Sequence, residues 1–129
     1  MNTEKLKFPK QKTKKKRKKH KLSVLHKRDG TCYLCIRLHN DYRVHRYVEE
    51  HHVFGGNPNR EISEAEGLKV YLCLEHHREG PEAAHKNKEV RKMLQQDAQR
   101  VFEKTHTREQ FMELFKKNYL EDENEPIRM

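Results

Sequence analysis

Three cysteines and two histidine doublets hold most of the chemistry available to this 129-residue chain. Cys32 and Cys35 lie in "TCYLC", a C-x2-C pair, and Cys73 and His76 lie in "YLCLEHHREG", a C-x2-H pair. A two-residue spacer lets both side chains of a pair converge while backbone amides turn towards the sulfurs. Two such pairs therefore supply the four ligands of a tetrahedral, structural Zn²⁺ site. This uses every cysteine. A closed Cys3His set stabilises folding and leaves no open position for a reaction.

His77 follows His76 directly, and His51 and His52 form a second doublet in "VEEHHVFGG". Neighbouring side chains on a strand or a helix point in different directions. With His76 assigned to zinc, His77 is left for another task. If one of His51 and His52 meets it at a second ion, the other stands beside that ion without ligating it. A neutral imidazole so placed, with its ordinary pKa near neutrality, is a natural general base. His20, His26, His39, His45 and His106 have no partner at ligand spacing and read as tail or surface residues.

The elements that must position these groups are few. Length suits one small domain, and one third hydrophobic content without tryptophan implies a modest core that a metal would staple. No apolar stretch approaches the length needed to span a bilayer, and no leader-like apolar segment appears. We therefore expect a cytoplasmic setting, with metal ligation favoured over disulfide pairing. The net charge of +9 is concentrated. Residues 1–21 hold eleven Lys or Arg and one acid, Glu4, against 18 basic and 19 acidic residues thereafter. The run Lys14, Lys15, Lys16, Arg17, Lys18 and Lys19 has little to bury. It is expected to be disordered when free and to condense on nucleic-acid phosphates without reading sequence. The run would also pass as a nuclear-import-like string, and a solubilising tail is the plainer reading.

Along the rest of the chain a short helix is expected over 22–29, closed by Gly30. "RVHRYVEEHHVF" has strand-like content, and "LKVYLC" is the clearest strand. "GGNPN" reads as a loop. Ser63 and Glu66 stand at capping-box spacing with Gly67 as terminator. Pro81 suits the first turn of a helix running to about residue 104, with Val90, Met93, Leu94, Ala98, Val101 and Phe102 on its apolar face. Thr107 and Gln110 open a last helix carrying Phe111, Leu114 and Phe115, read as core or partner-packing residues. "EDENEP" begins an acidic tail.

"CYLC" followed by "EEHHVFGG…NR…GLKVYLCLEHHREG" resembles the HNH endonuclease family, in its zinc-knuckle-containing branch, over roughly residues 22–104. Bacteriophage-encoded HNH proteins look similar. The resemblance implies an α+β, zinc-stapled ββα-metal domain at 22–104. Around it stand a basic tail at 1–21, a C-terminal helix at 105–120 and an acidic tail at 121–129. It makes His51 and His77 ligands of a catalytic divalent cation (Mg²⁺, Mn²⁺, Ni²⁺ or Zn²⁺) and His52 the general base. Two departures stand out. The slot where the family's middle Asn begins the second strand holds Leu68, so Asn59, in the upstream loop, is the choice for a loop-fixing catalytic role. The position one turn after His77, where the family often has a third histidine ligand, is Pro81. His85 joins the ion only if Gly80-Pro81 breaks the helical path. Arg78 is placed either to hold a phosphate or to make an exposed salt bridge.

The implied activity is hydrolysis of DNA phosphodiester bonds to 5′-phosphate and 3′-hydroxyl ends, with affinity leaning on residues 1–21. DNA is the expected partner, with no membrane association. The alternatives are a non-catalytic zinc module that binds nucleic acid or protein, and a subunit active only in a larger phage packaging or recombination complex. The Phe111 helix and the acidic end are candidates for that docking.

Overall fold

The computed structural model describes residues 21–120. The expected nucleic-acid contacts Lys14, Lys15, Lys16, Arg17, Lys18 and Lys19 and the acidic tail lie outside them. In chain order the elements are α1 (Tyr33–His39), β1 (Glu49–His52), α2 (Asn59–Glu66), β2 (Lys69–Leu72), a π-helical turn (Glu75–Glu79), α3 (Lys88–Phe102) and α4 (Arg108–Phe115). This is a small α+β fold: β1 and β2 form a two-stranded antiparallel sheet and helices cover it. The register opposes Glu49 to Leu72, His51 to Val70 and His52 to Lys69. All four residues of β2 are buried, as expected of a strand covered on both faces. No helix among the described residues is long and apolar enough to cross a membrane.

Three expected elements differ. Residues 22–29 form no helix. Ser23 instead donates its hydroxyl to the Lys69 carbonyl and accepts from the amides of Leu25 and His26, while Val24 N–H donates to the Gly67 carbonyl at 2.9 Å. Such side-chain bonds compete directly with helix formation, and the segment lies along β2, where Tyr71 N–H donates to His26 Nδ1 at 3.1 Å. The second difference is Ser63, which caps nothing. Helix α2 opens earlier, at Asn59, and the buried Ser63 hydroxyl is bonded to both the amide and the carbonyl of Phe54, at 3.2 and 3.0 Å. Gly67 does end α2, at φ 74°. A Cβ there would meet the Leu22 carbonyl oxygen at 2.5 Å, so glycine is required on two counts.

The third difference matters most for the site. The helix expected from Pro81 starts only at Lys88, where the Asn87 side chain accepts from Val90 N–H at 3.0 Å. Between the π-helical turn and α3 the chain folds back on itself. Ala84 N–H donates to the His76 carbonyl at 2.7 Å and His85 N–H to the His77 carbonyl at 3.1 Å.

One apolar core joins the sheet to α1, α3 and α4. Val90, Leu94, Ala98 and Phe102 of α3 are buried, as their spacing predicts. The Thr107–Gln110 capping box is present. Phe111 is fully enclosed, with its ring centroid 5.5 Å from those of Phe54 and Phe102, and Phe115 stacks 4.4 Å from Phe54. These phenylalanines are thus spent on the chain's own core rather than held out for a partner. Asp97 on α3 accepts from Tyr33 Oη at 2.8 Å and Arg37 Nε at 2.9 Å, fixing α1 against α3.

Candidate metal centres

Cys32 caps the N-terminus of α1, and its sulfur accepts from Cys35 N–H at 3.4 Å. That turn aims Cys32 and Cys35 at Cys73 and His76, which leave the end of β2 and the π-helical turn. His76 Nδ1 lies 3.6, 3.4 and 3.5 Å from the sulfurs of Cys32, Cys35 and Cys73, and the last two sulfurs are 4.0 Å apart. Zn–S and Zn–N bonds of about 2.3 and 2.0 Å put the edges of a tetrahedron at roughly 3.5 to 3.8 Å. All four groups are buried. Burial, reinforced by the neighbouring sulfurs, pushes the Cys35 thiol well above its ordinary range, and burial also raises Cys32. Thiols so placed ionise when a cation arrives. The buried Cys3His cluster could hold a structural metal such as zinc.

Two residues outside that set complete it. Glu82 Oε1 lies 3.3 Å from His76 Nε2 and 2.7 Å from His39 Nε2, and the His39 ring stacks on His76 at 5.8 Å. A carboxylate at Nε2 places the proton there and leaves the Nδ1 lone pair for the metal. His45 Nε2 also comes within 3.6 Å of Cys35 Sγ, at the rim.

The second group is His51, His77 and His85. Their ligand nitrogens all lie within 4.8 Å of one another. His77 and His85 approach most closely, Nε2 to Nε2 at 3.1 Å, and His51 stands edge-on to both rings at 5.2 and 5.0 Å. Glu49, two residues before His51 and so on the same strand face, takes His77 Nδ1 at 2.7 Å. That partner turns the His77 Nε2 lone pair towards His85. Hydrogen bonds from His77, then Arg78, hold the Glu49 carboxyl down at about 2. Burial above all, then the charges of His77 and His85, pushes His51 down to about 3, and burial lowers His85 as well. Imidazoles converging on one point are the donor set of a transition-metal ion.

His52 leaves β1 on the face opposite His51, but both line one open cleft of about 380 Å³ with Arg60, His77, His85 and Arg91. Its Nε2 meets Glu64 Oε1 at 2.7 Å. Glu64 also receives the buried Lys69 ammonium at 3.1 Å, and that ammonium reaches Glu50 at 3.0 Å. Glu50, His52 and Glu64 are close enough to hold a cation themselves; Lys69 already fills that need. With Nε2 turned to a carboxylate, Nδ1 is the basic nitrogen of His52.

Two expected residues stand elsewhere. Asn59 is the first residue of α2 and does not line the cleft, whereas its neighbour Arg60 does. Arg78 forks onto Glu49 at 3.1 and 2.7 Å, the salt-bridging alternative. Glu64, Glu82 and Arg91 had no signal in local spacing, since their partners come from other elements. Only Glu49 carried a hint, through the i, i+2 relation to His51.

No protein-family model, curated protein or solved structure matches the chain.

Proposed function

We propose that the protein is a metal-dependent endonuclease of the HNH kind, hydrolysing DNA phosphodiester bonds in a ββα-metal arrangement. The observation that carries this reading is the convergence of His51, His77 and His85 beside a fourth imidazole, His52, whose Nε2 is held by a carboxylate. A bare zinc module requires only the Cys3His cluster and gives no reason for this second constellation.

His51, His77 and His85 would hold a divalent cation. When bound, it supplies positive charge to the phosphate and to the departing 3′ oxygen. Three imidazoles suit Ni²⁺ or Zn²⁺ better than Mg²⁺ or Mn²⁺, which prefer oxygen ligands. His52 Nδ1 accepts a proton from the attacking water, and Glu64 steadies the imidazolium that results. The water oxygen would bond to phosphorus as the bond to the 3′ oxygen breaks; the 3′ oxygen leaves with the bonding pair and takes a proton from solvent, giving 5′-phosphate and 3′-hydroxyl ends. Arg60 and Arg91 add positive charge along the cleft wall.

The test is nicking of supercoiled plasmid with Mg²⁺, Mn²⁺ or Ni²⁺, beside a folded, zinc-loaded His52→Ala control. Ion-dependent nicking by the unaltered protein alone supports the nuclease and its base. If both are inert, the non-catalytic module takes its place.

A further inference from the structure

His45 reads as a surface residue in the sequence, yet the fold brings its half-buried ring to the edge of the Cys3His cluster. The segment that carries it is pinned at both ends to the chain around the first cysteine pair. Helix α1 closes on Asn40, whose φ of 55° is left-handed, and Asp41 N–H then donates to the Cys35 carbonyl at 3.0 Å. At the other end, His45 N–H donates to the Gly30 carbonyl at 2.9 Å. Gly30 has a φ of 92°, and a Cβ there would meet Val44 Cγ1 at 2.9 Å. Glycine is what lets residues 41–45 lie this close. His45 Nε2 consequently stands 3.6 Å from Cys35 Sγ. It is not a fifth ligand: the atoms of Cys32, Cys35, Cys73 and His76 lie within 4.8 Å of one another, and His45 is outside that group.

The three sulfurs are not alike. Cys32 is fully enclosed, and its sulfur accepts from the Cys35 amide at 3.4 Å. Cys35 and Cys73 reach the rim almost equally, 7% and 8% exposed. Cys35 has the His45 imidazole beside it. Among the described residues, the Cys73 sulfur meets only other members of the cluster.

We propose that His45 guards the Cys35 sulfur, donating Nε2–H to the metal-bound thiolate and lowering its reactivity towards electrophiles. The inference rests on a metal in the Cys3His cluster and is independent of the nuclease reading. Three thiolates outweigh the charge of a divalent cation, so negative charge stays on the sulfurs. The thiolate is the nucleophilic form of cysteine. A ligated thiolate only accepts hydrogen bonds, so Nε2 carries the proton. A donor to a charged acceptor makes a strong bond, and here it ties up the electron density that an electrophile would attack. Cys73, equally reachable and without that donor, is the sulfur at which the site opens first. The backbone anchors at Cys35 and Gly30 distinguish this from a surface ring that drifts past a sulfur.

The experiment uses the full chain loaded with zinc, after its zinc content has been counted, and excess N-ethylmaleimide. A ring carbon of the maleimide bonds to sulfur while the neighbouring carbon takes a proton from water. Singly labelled products are mapped to each cysteine by mass spectrometry at early times. In the unaltered protein the label should reach Cys73 ahead of Cys35. His45→Ala and His45→Phe should each speed labelling of Cys35 by about 10-fold, the scale on which partners behind metal ligands act, and leave Cys73 unchanged. His45→Gln, which keeps an N–H donor, should restore part of the protection. An unchanged rate at Cys35 in His45→Ala would overturn the guard. So would a gain at all three sulfurs, Cys32 included, which is the mark of a loosened fold. Full protection by His45→Phe would make the ring a plain cover and overturn the donor. A chain that holds no zinc removes the metal reading and the guard with it, whereas failure of the guard in a zinc-loaded chain leaves that reading intact.

Discussion

His77 and His85 bring their Nε2 atoms to 3.1 Å across eight residues of chain. On a continuous α-helix that separation would be about 12 Å. The approach exists because the π-helical turn stops at Gly80 and the His85 amide bonds back to the His77 carbonyl. Only such a reversal lets His85 complete a set with His51.

His85→Ala should therefore remove one of the three proposed ligands without touching the Cys3His cluster. Calorimetric titration with Ni²⁺ should show affinity at the second site lowered by more than about 10-fold, the scale on which even outer partners of a metal act. Elemental analysis should still find zinc. Unchanged Ni²⁺ affinity would remove His85 from the site.

Glu82 acts on the other centre through His76. Glu82→Ala frees the His76 Nε2 proton from its partner and loosens the ring. Zinc affinity, measured by competition with a coloured chelator, should fall by about 10-fold, at the low end for such partners because Glu82 is half-exposed. His39→Ala, which removes only the stacked ring and its hold on Glu82, should do less. An equal or larger loss for His39→Ala would place the orienting role there instead.

Phe111 has no exposed surface and meets four other aromatic rings, those of Phe54, Phe102, Phe115 and Tyr119. Phe111→Ala should cost about 3 to 5 kcal/mol in urea unfolding. Truncation near residue 105, which also removes Phe115, should leave a chain that does not fold cooperatively. A stable truncated domain would show that α4 is dispensable.

Arg108 forks onto Glu103 at 3.0 and 3.1 Å, joining the end of α3 to α4, and this bond chiefly lowers the Glu103 pKa. A carboxyl with a folded pKa below its unfolded value stabilises the fold above the unfolded value, about 4.3. That contribution fades as pH falls through the folded one. Glu103→Gln should lower the melting temperature at pH 7, and the gap from the unaltered protein should narrow on going below about pH 4. A gap constant from pH 7 to 3 would deny the ion pair this role.

The cysteine knuckles were legible because each pair is local: two residues between ligands suffice to define the turn. The strand of Lys69–Leu72 and the capping box at Thr107 were legible for the same reason. Ser63 was misread because a serine hydroxyl serves a cap or a buried loop equally well, and Phe54, nine residues away, decides which. Pro81 was misread because proline suits a turn as readily as a helix start. Asn59 was chosen for its loop, but the loop ends one residue earlier, so it opens α2. The carboxylates Glu49, Glu64 and Glu82 acquire meaning only when the sheet and the reversal at Gly80 bring histidines to them.

His76 and His77 are consecutive, one facing the sulfurs and the other His85. A single peptide bond therefore joins two candidate ion sites of different character. Stripping the zinc would free the π-helical turn and carry His77 away with it, so a chelator that silences the protein does not identify which ion it took. Exchange experiments have to be staged: load zinc first, remove the weaker ion by dialysis, and then add back one metal at a time.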